Sequence, residues 1–256
     1  MRRSFAYSAV MGLLEVFLLA CVTALATGVG ALPVVWLGTV RTQRWRPLLW
    51  GVAAGVMAAA SVGLLIEPLV KEQWLPVILG VAIGVAFLVL GRRLMGGRDI
   101  KIGQHSGVDT RRSALIFIVL FVHSLPEGFA LGSSWSADGA IGLFVFIAIA
   151  IQNIPEGTAT AIPMAQAGFS GKQQFWAAVG TSVPQPIGAV VAFVLVEEVS
   201  VLLPWSLGFA AGAMLALVVL DLLPDAFGSR DSWGLATVGL VGSILAMAAL
   251  GLLLVV

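Results

Sequence analysis

Charge is scarce in this sequence. Acidic and basic residues fill only 11% of its 256 positions and nearly cancel, 13 against 14, for a net charge of +1. Such a balance gives no overall field for binding nucleic acid or an acidic partner. Cysteine is scarcer still: Cys21 stands alone, which excludes an intrachain disulfide and a zinc site built on thiolates. There are two histidines, His105 and His123. No ATP-binding loop occurs, so transport driven by ATP hydrolysis on this chain is excluded. The H-E-x-x-H pattern is missing too, which argues against an intramembrane metal-dependent hydrolase.

What is abundant is apolar. Hydrophobic residues make up 59% of the chain and the mean hydropathy is +1.04, far above that of a soluble domain. This is the composition of an integral membrane protein. A membrane helix needs about 20 mostly apolar residues, and the sequence offers eight such runs, near 10–39, 49–66, 74–91, 113–134, 139–163, 173–196, 202–223 and 233–255. The expected fold is all-α, with eight transmembrane helices forming a single domain over 1–256 in the lipid bilayer. Connections are short apart from a polar loop at about 92–112, which carries His105. The first run has a second reading as a secretion or lipoprotein signal, with LLAC ending at Cys21. Glu15 interrupts that signal, and hydrophobicity continues to Leu37, as in a retained helix.

Basic residues divide unevenly between the two sides of eight spans. Arg41, Arg44, Arg46, the basic residues of 92–112, Lys172 and Arg230 fall on one side, against Arg2, Arg3 and Lys71 on the other. The richer side is expected to be cytoplasmic, which places both termini outside.

Two internal repeats are visible. GVAAGVMAAASVGLLIEPL, from Gly51, and GFAAGAMLALVVLDLLPDA, from Gly208, share G-x-A-A-G-x-M in register. They fall on the second and seventh runs, which cross in opposite directions, as the halves of an inverted-repeat transporter do. HSLPEG (123–128) and QNIPEG (152–157) form a second antiparallel pair on the fourth and fifth runs. The arrangement is therefore three spans, a central pair, and three spans again. The shared glycines and alanines read most simply as helix packing positions.

The glutamates need another explanation. Residues four apart share a helix face, so His123 points with Glu127, and Gln152 with Glu156. If the two helices pack together, these half-cages meet and present one imidazole, two carboxylates and an amide. Pro126 and Pro155 each remove a backbone donor and free the carbonyls of Val122 and Ile151, which a bilayer tolerates beside protein or a water-filled cavity. Two buried carboxylates repel unless something neutralises them. A bound divalent cation does so, and nitrogen with oxygen ligands favours zinc and its neighbours over calcium or magnesium. The bland alternatives are a protonated carboxyl pair hydrogen-bonded to His123 and Gln152, or a proton relay.

HSLPEGFALG resembles the fourth-helix motif of the ZIP (Zrt-, Irt-like protein) metal transporters, usually H-N-x-P-E-G, and QNIPEGTATA the fifth-helix motif. LATGVGALPV is similar to the first helix and GVAAGVMAAAS to the second, and the bacterial branch fits best. The resemblance implies eight helices in a three-two-three order, both termini outside, and a homodimer. It implies a metal site of Met57, His123, Glu127, Gln152 and Glu156, with Met57 assigned on the resemblance alone. Bacterial members often hold a second metal, but here Ser124, Asn153 and Gln185 stand at its positions, all neutral. One metal site is expected, with those three lining the path or forming a degenerate second site.

Glu67, Asp221 and Asp225, at helix ends, are candidate entrance or exit groups, or solvated interfacial acids. His105 reads as a solvated loop histidine. The function expected is movement of zinc, cadmium or a similar divalent transition metal across a bacterial inner membrane towards the cytoplasm. The ion gradient, with or without protons, would drive it. A non-transporting sensor or scaffold of the same fold is the alternative.

Overall fold

The computed structural model describes residues 2–95 and 108–254, and all eight apolar runs are helical in it. The helices are α1 (Arg2–Leu37), α2 (Thr39–Gln43), α3 (Arg46–Val70), α4 (Trp74–Met95), α5 (Val108–Ala137), α6 (Gly139–Gln166), α7 (Gly171–Thr181), α8 (Pro184–Glu198), α9 (Leu203–Leu217), α10 (Leu223–Ala226) and α11 (Trp233–Leu254). Eight segments are long and apolar enough to cross a membrane: α1, α3, α4, α5, α6, α7 with α8, α9 with α10, and α11. They are called the first to eighth spans below.

Three boundaries differ from the hydropathy reading, each for a local reason. The 92–112 connection is helical at both ends, since α4 runs to Met95 and α5 starts at Val108; His105 and the rest of that loop lie outside the described residues. The sixth span is two helices. Pro184 has no N–H to give to Gly180, so the chain tightens: Val183 N donates to the Gly180 carbonyl at 3.3 Å, and Gln185 N to that of Ser182 at 3.0 Å. In the seventh span, Val218–Leu222 winds as a π-helix ahead of Pro224, with Asp221 inside it. Pro126 and Pro155, in contrast, lie within α5 and α6, which run on through them.

Caps mark the sharp ends. Asp138 accepts from Ala140 N at 2.7 Å and Ile141 N at 3.3 Å to start α6, and Ser170 forms a capping box with Gln173 to start α7. After α6, Gly168 sits at φ +85°, a conformation that costs glycine nothing.

The spans pack in related pairs: first with fifth and fourth with sixth, third with seventh and eighth with second, second with fifth and seventh with fourth. Exchanging first with sixth, second with seventh, third with eighth and fourth with fifth turns each pair into its mate. Backbone glycine contacts hold the tightest pairs. A Cβ at Gly157 would collide with the Thr27 carbonyl, and one at Gly128 with the Gln185 carbonyl. The final glycine of each PEG motif thus brings its helix against the first or sixth span. The repeat glycines act likewise, Gly51 and Gly55 against the eighth span, Gly208 and Gly212 against the third. In their most apolar stretches only 22% of the residues of the third span and 17% of those of the eighth are buried, so these two lie on the outside of the helix packing.

Hydrogen bonding separates two bundles. Among the first, fourth, fifth and sixth spans, Thr27 meets Ser182 at 2.6 Å, Ser124 Oγ donates to the Thr181 carbonyl at 2.8 Å, and Thr158 Oγ1 to the Gly30 carbonyl at 2.7 Å. Where this bundle meets the second, third, seventh and eighth spans, Phe129 packs edge-on against Phe209 at 5.5 Å and Ser133 meets Ser206 at 2.5 Å. The rest of that boundary is largely an apolar cluster of Met57, Leu64, Val145, Ala148 and Ile149.

Candidate metal site

The fourth and fifth spans bring their half-cages together. His123, Glu127, Gln152 and Glu156 are each 0% exposed. One ligand atom from each of His123, Glu127 and Glu156 lies within 4.8 Å of the other two. His123 Nε2 is 3.3 Å from Glu127 Oε1 and 3.8 Å from Glu156 Oε1. Gln152 Nε2 donates to Glu127 Oε1, which brings the fifth-span amide into the same cluster.

The two carboxylates are treated differently. Glu127 accepts from an amide at each oxygen, Gln152 at Oε1 and Gln185 at Oε2. Both oxygens of Glu156 lack a hydrogen-bond partner among the described residues, as do both nitrogens of His123 and Oε1 of Gln152. Five buried polar atoms left without partners cost about 1–3 kcal/mol each, more where charged. They belong to three residues of one cluster, and all except an N–H of the imidazole are lone-pair donors. A divalent cation would offset the two carboxylate charges and take up these lone pairs together. The donor set of imidazole nitrogen, carboxylate and amide oxygen suits zinc.

Met57 is also 0% exposed and shares the apolar cluster with Ile149, one turn before Gln152 on α6. Ser124, Asn153 and Gln185 are buried beside the cage, but their polar groups are engaged by protein. Ser124 Oγ lies 2.8 Å from the carbonyls of both Leu120 and Thr181. Asn153 Nδ2 donates to the Thr23 carbonyl at 2.7 Å and to Gln185 Oε1 at 3.2 Å. Thr23, Thr27 and Ser182 are part of this polar region and drew no attention in the sequence. Their signal was there: two threonines four apart inside the apolar first run face one way.

The acids at the helix ends separate into two groups. Asp221 and Asp225 line a cavity of about 300 Å³ together with Arg46, Trp50, Leu120 and Ala159. Leu120 and Ala159 are each one helical turn from the cage, preceding His123 and following Glu156. Asp225 is half exposed and pairs with Arg46 at 3.0 Å. Glu67 lies at the other end of the second span, paired with Lys71 at 2.6 Å, and lines a separate cavity with Gln73 and Ser200.

Comparison with known proteins points the same way. The profile of the family described as ZIP zinc transporter matches residues 99–254, which include both PEG hexapeptides. An Arabidopsis thaliana protein named "Putative zinc transporter" is 33% identical over 207 residues, 80% of this chain and 33% of its own length. Zinc transporter GufA of Myxococcus xanthus is 32% identical over 213 residues, 78% of this chain and 84% of GufA. Zinc transporter ZIPB of Bordetella bronchiseptica is 32% identical over 235 residues, covering 87% and 75%. The chain therefore spans about a third of the plant protein and most of each bacterial one. The relatives are bacterial and eukaryotic.

Proposed function

This chain belongs to the ZIP zinc transporter family, and we propose that it carries zinc, or a closely similar divalent transition metal such as cadmium, across the membrane through the cage of His123, Glu127, Gln152 and Glu156. The observation that carries the proposal is the set of partnerless ligand atoms buried in that cage. Apolar packing would not leave them so, and the H-E-x-x-H pattern of a metal-dependent hydrolase is missing from the sequence. It is a carrier, not an enzyme.

In this reading the cage holds one cation, with Met57 adding a soft sulfur ligand. Glu127 and Glu156 supply the charge that draws the ion out of water, and neutral Gln152 keeps binding weak enough for release. The bundle of first, fourth, fifth and sixth spans contributes four of these ligands and is stitched internally by hydrogen bonds. Its boundary with the other bundle is mainly apolar. Apolar surfaces slide past one another at less cost than hydrogen-bonded ones, so the cage bundle moves as a unit against the other. The cavity beside Asp221 and Asp225 is the route on the Arg46 side, and Glu67 stands at the opposite mouth.

The excess of basic residues makes the Arg46 side cytoplasmic, so the cation leaves inward and both termini face out. The bilayer is a bacterial inner membrane, and the working unit is a homodimer. The test is metal uptake into liposomes that hold the purified chain and an internal zinc-responsive dye. Saturable flux that Glu127→Ala and Glu156→Ala each abolish supports the proposal. Stoichiometric binding with no flux in the unsubstituted chain refutes transport and leaves a metal sensor.

A further inference from the structure

We propose that Gln185 is a positioning residue for Glu127, the end of an amide relay that does electrostatically, with N–H groups, what a second cation would do. The inference rests on the reading of the cage as a divalent-cation site.

The relay has one possible direction. Its anchor is the backbone carbonyl of Thr23 on the first span, which only accepts. Asn153 must therefore turn its NH2 towards it, and does, at 2.7 Å. The second hydrogen of that NH2 is directed at Gln185, 3.2 Å away, so the Gln185 oxygen faces Asn153. The Thr23 hydroxyl also lies 3.0 Å from that oxygen, its single hydrogen shared between it and the Ala20 carbonyl at 2.8 Å. With its oxygen facing Asn153, Gln185 presents its own NH2 to Glu127 Oε2, and the same nitrogen lies 3.4 Å from Asn153 Oδ1. All three side chains are at least 99% buried, so water does not compete.

Two consequences follow for the cation. Glu127 is fixed at Oε2 and meets the cage with Oε1 alone, the oxygen nearest His123. The far side of Glu127 presents donor hydrogens, which repel a second positive charge. Gln185 is the second residue of α8, just past the break in the sixth span, so the relay ties that break to the cage.

The experiment is a zinc titration of the purified chain in detergent, reading stoichiometry and Kd without any need for flux. One zinc per chain is expected for the unsubstituted protein. Gln185→Glu places a carboxylate against Glu127 Oε2 and is expected to bind two. Gln185→Met, unbranched and without a donor, is expected to bind one with Kd raised about tenfold or more. Thr27→Val removes a hydrogen bond from the first span to Ser182 of the sixth while leaving every member of the relay in place, and is expected to leave Kd unchanged.

A Gln185→Glu protein that folds and still binds one zinc overturns the proposal. So does a Gln185→Met protein whose Kd matches that of Thr27→Val, and this variant decides alone if Gln185→Glu fails to fold. An unsubstituted chain that binds no zinc refutes the cage itself. An unsubstituted chain that binds one zinc and yet shows no flux refutes transport only.

Discussion

Replacing Gly128 by alanine tests whether the PEG glycines set the geometry of the cage. The new Cβ would lie 2.9 Å from Ala189 N and 3.0 Å from the Gln185 carbonyl carbon, besides meeting that residue's oxygen, where ordinary contacts begin at 3.4 Å. Every obstacle is backbone, so no side chain can swing aside, and the fourth and sixth spans must part by about half an ångström or more. Overpacking of this kind costs about 1–3 kcal/mol, a loss on the order of 2 to 10 °C in Tm for a chain of this length. Gln185 moves with its backbone, so its bond to Glu127 loosens as well and zinc binding weakens. Gly242→Ala is the control, because nothing lies within 4 Å of a Cβ there. It gains up to about 1 kcal/mol in helix propensity. Thermal unfolding in detergent, followed by circular dichroism with and without zinc, reads both quantities. Equal Tm and equal zinc Kd for the two variants would refute the reasoning.

Three further substitutions separate ligands from bystanders. Met57→Leu conserves volume and should cost less than about 1.5 kcal/mol in stability; a liganding thioether makes its Kd rise more for cadmium than for zinc, and equal changes in competition titrations would reduce Met57 to packing. Asp225→Asn breaks an exposed ion pair with Arg46 worth about 0–1 kcal/mol, so liposome flux should hold. Asp221→Asn, on the π-helical turn in the same cavity, should slow flux while zinc Kd at the cage stays the same. The reverse order of effects would remove Asp221 from the route.

The spans were legible because a bilayer forces length and apolarity on every crossing helix, and the cage because carboxylates in such a setting need a reason. His123 to Glu127 and Gln152 to Glu156 follow from helical spacing alone. What joins the halves was less visible. The glycines of the two PEG motifs read as part of a signature, and only the packing reveals that Gly128 and Gly157 meet the carbonyls of Gln185 and Thr27. Gln185 drew attention as a neutral residue at a metal position, but which end of its amide faces Glu127 depends on Asn153 and on a carbonyl 162 residues away at Thr23. A linear sequence carries no record of such long-range donor and acceptor pairing. The breaks were not read from the sequence: Pro184 and Pro224 lie at them, yet Pro126 and Pro155 sit in continuous helices, so proline alone does not mark where a span breaks.

The central claim is that the carried cation sits on His123, and the sequence makes that unusually direct to test, since the chain has two histidines in all. Zinc-edge X-ray absorption on the zinc-loaded protein reads whether an imidazole is bound. The account predicts one imidazole nitrogen with oxygen ligands at about 2.0–2.2 Å, retained in His105→Ala and lost in His123→Ala. An imidazole signal that survives His123→Ala, or disappears with His105→Ala, would contradict it.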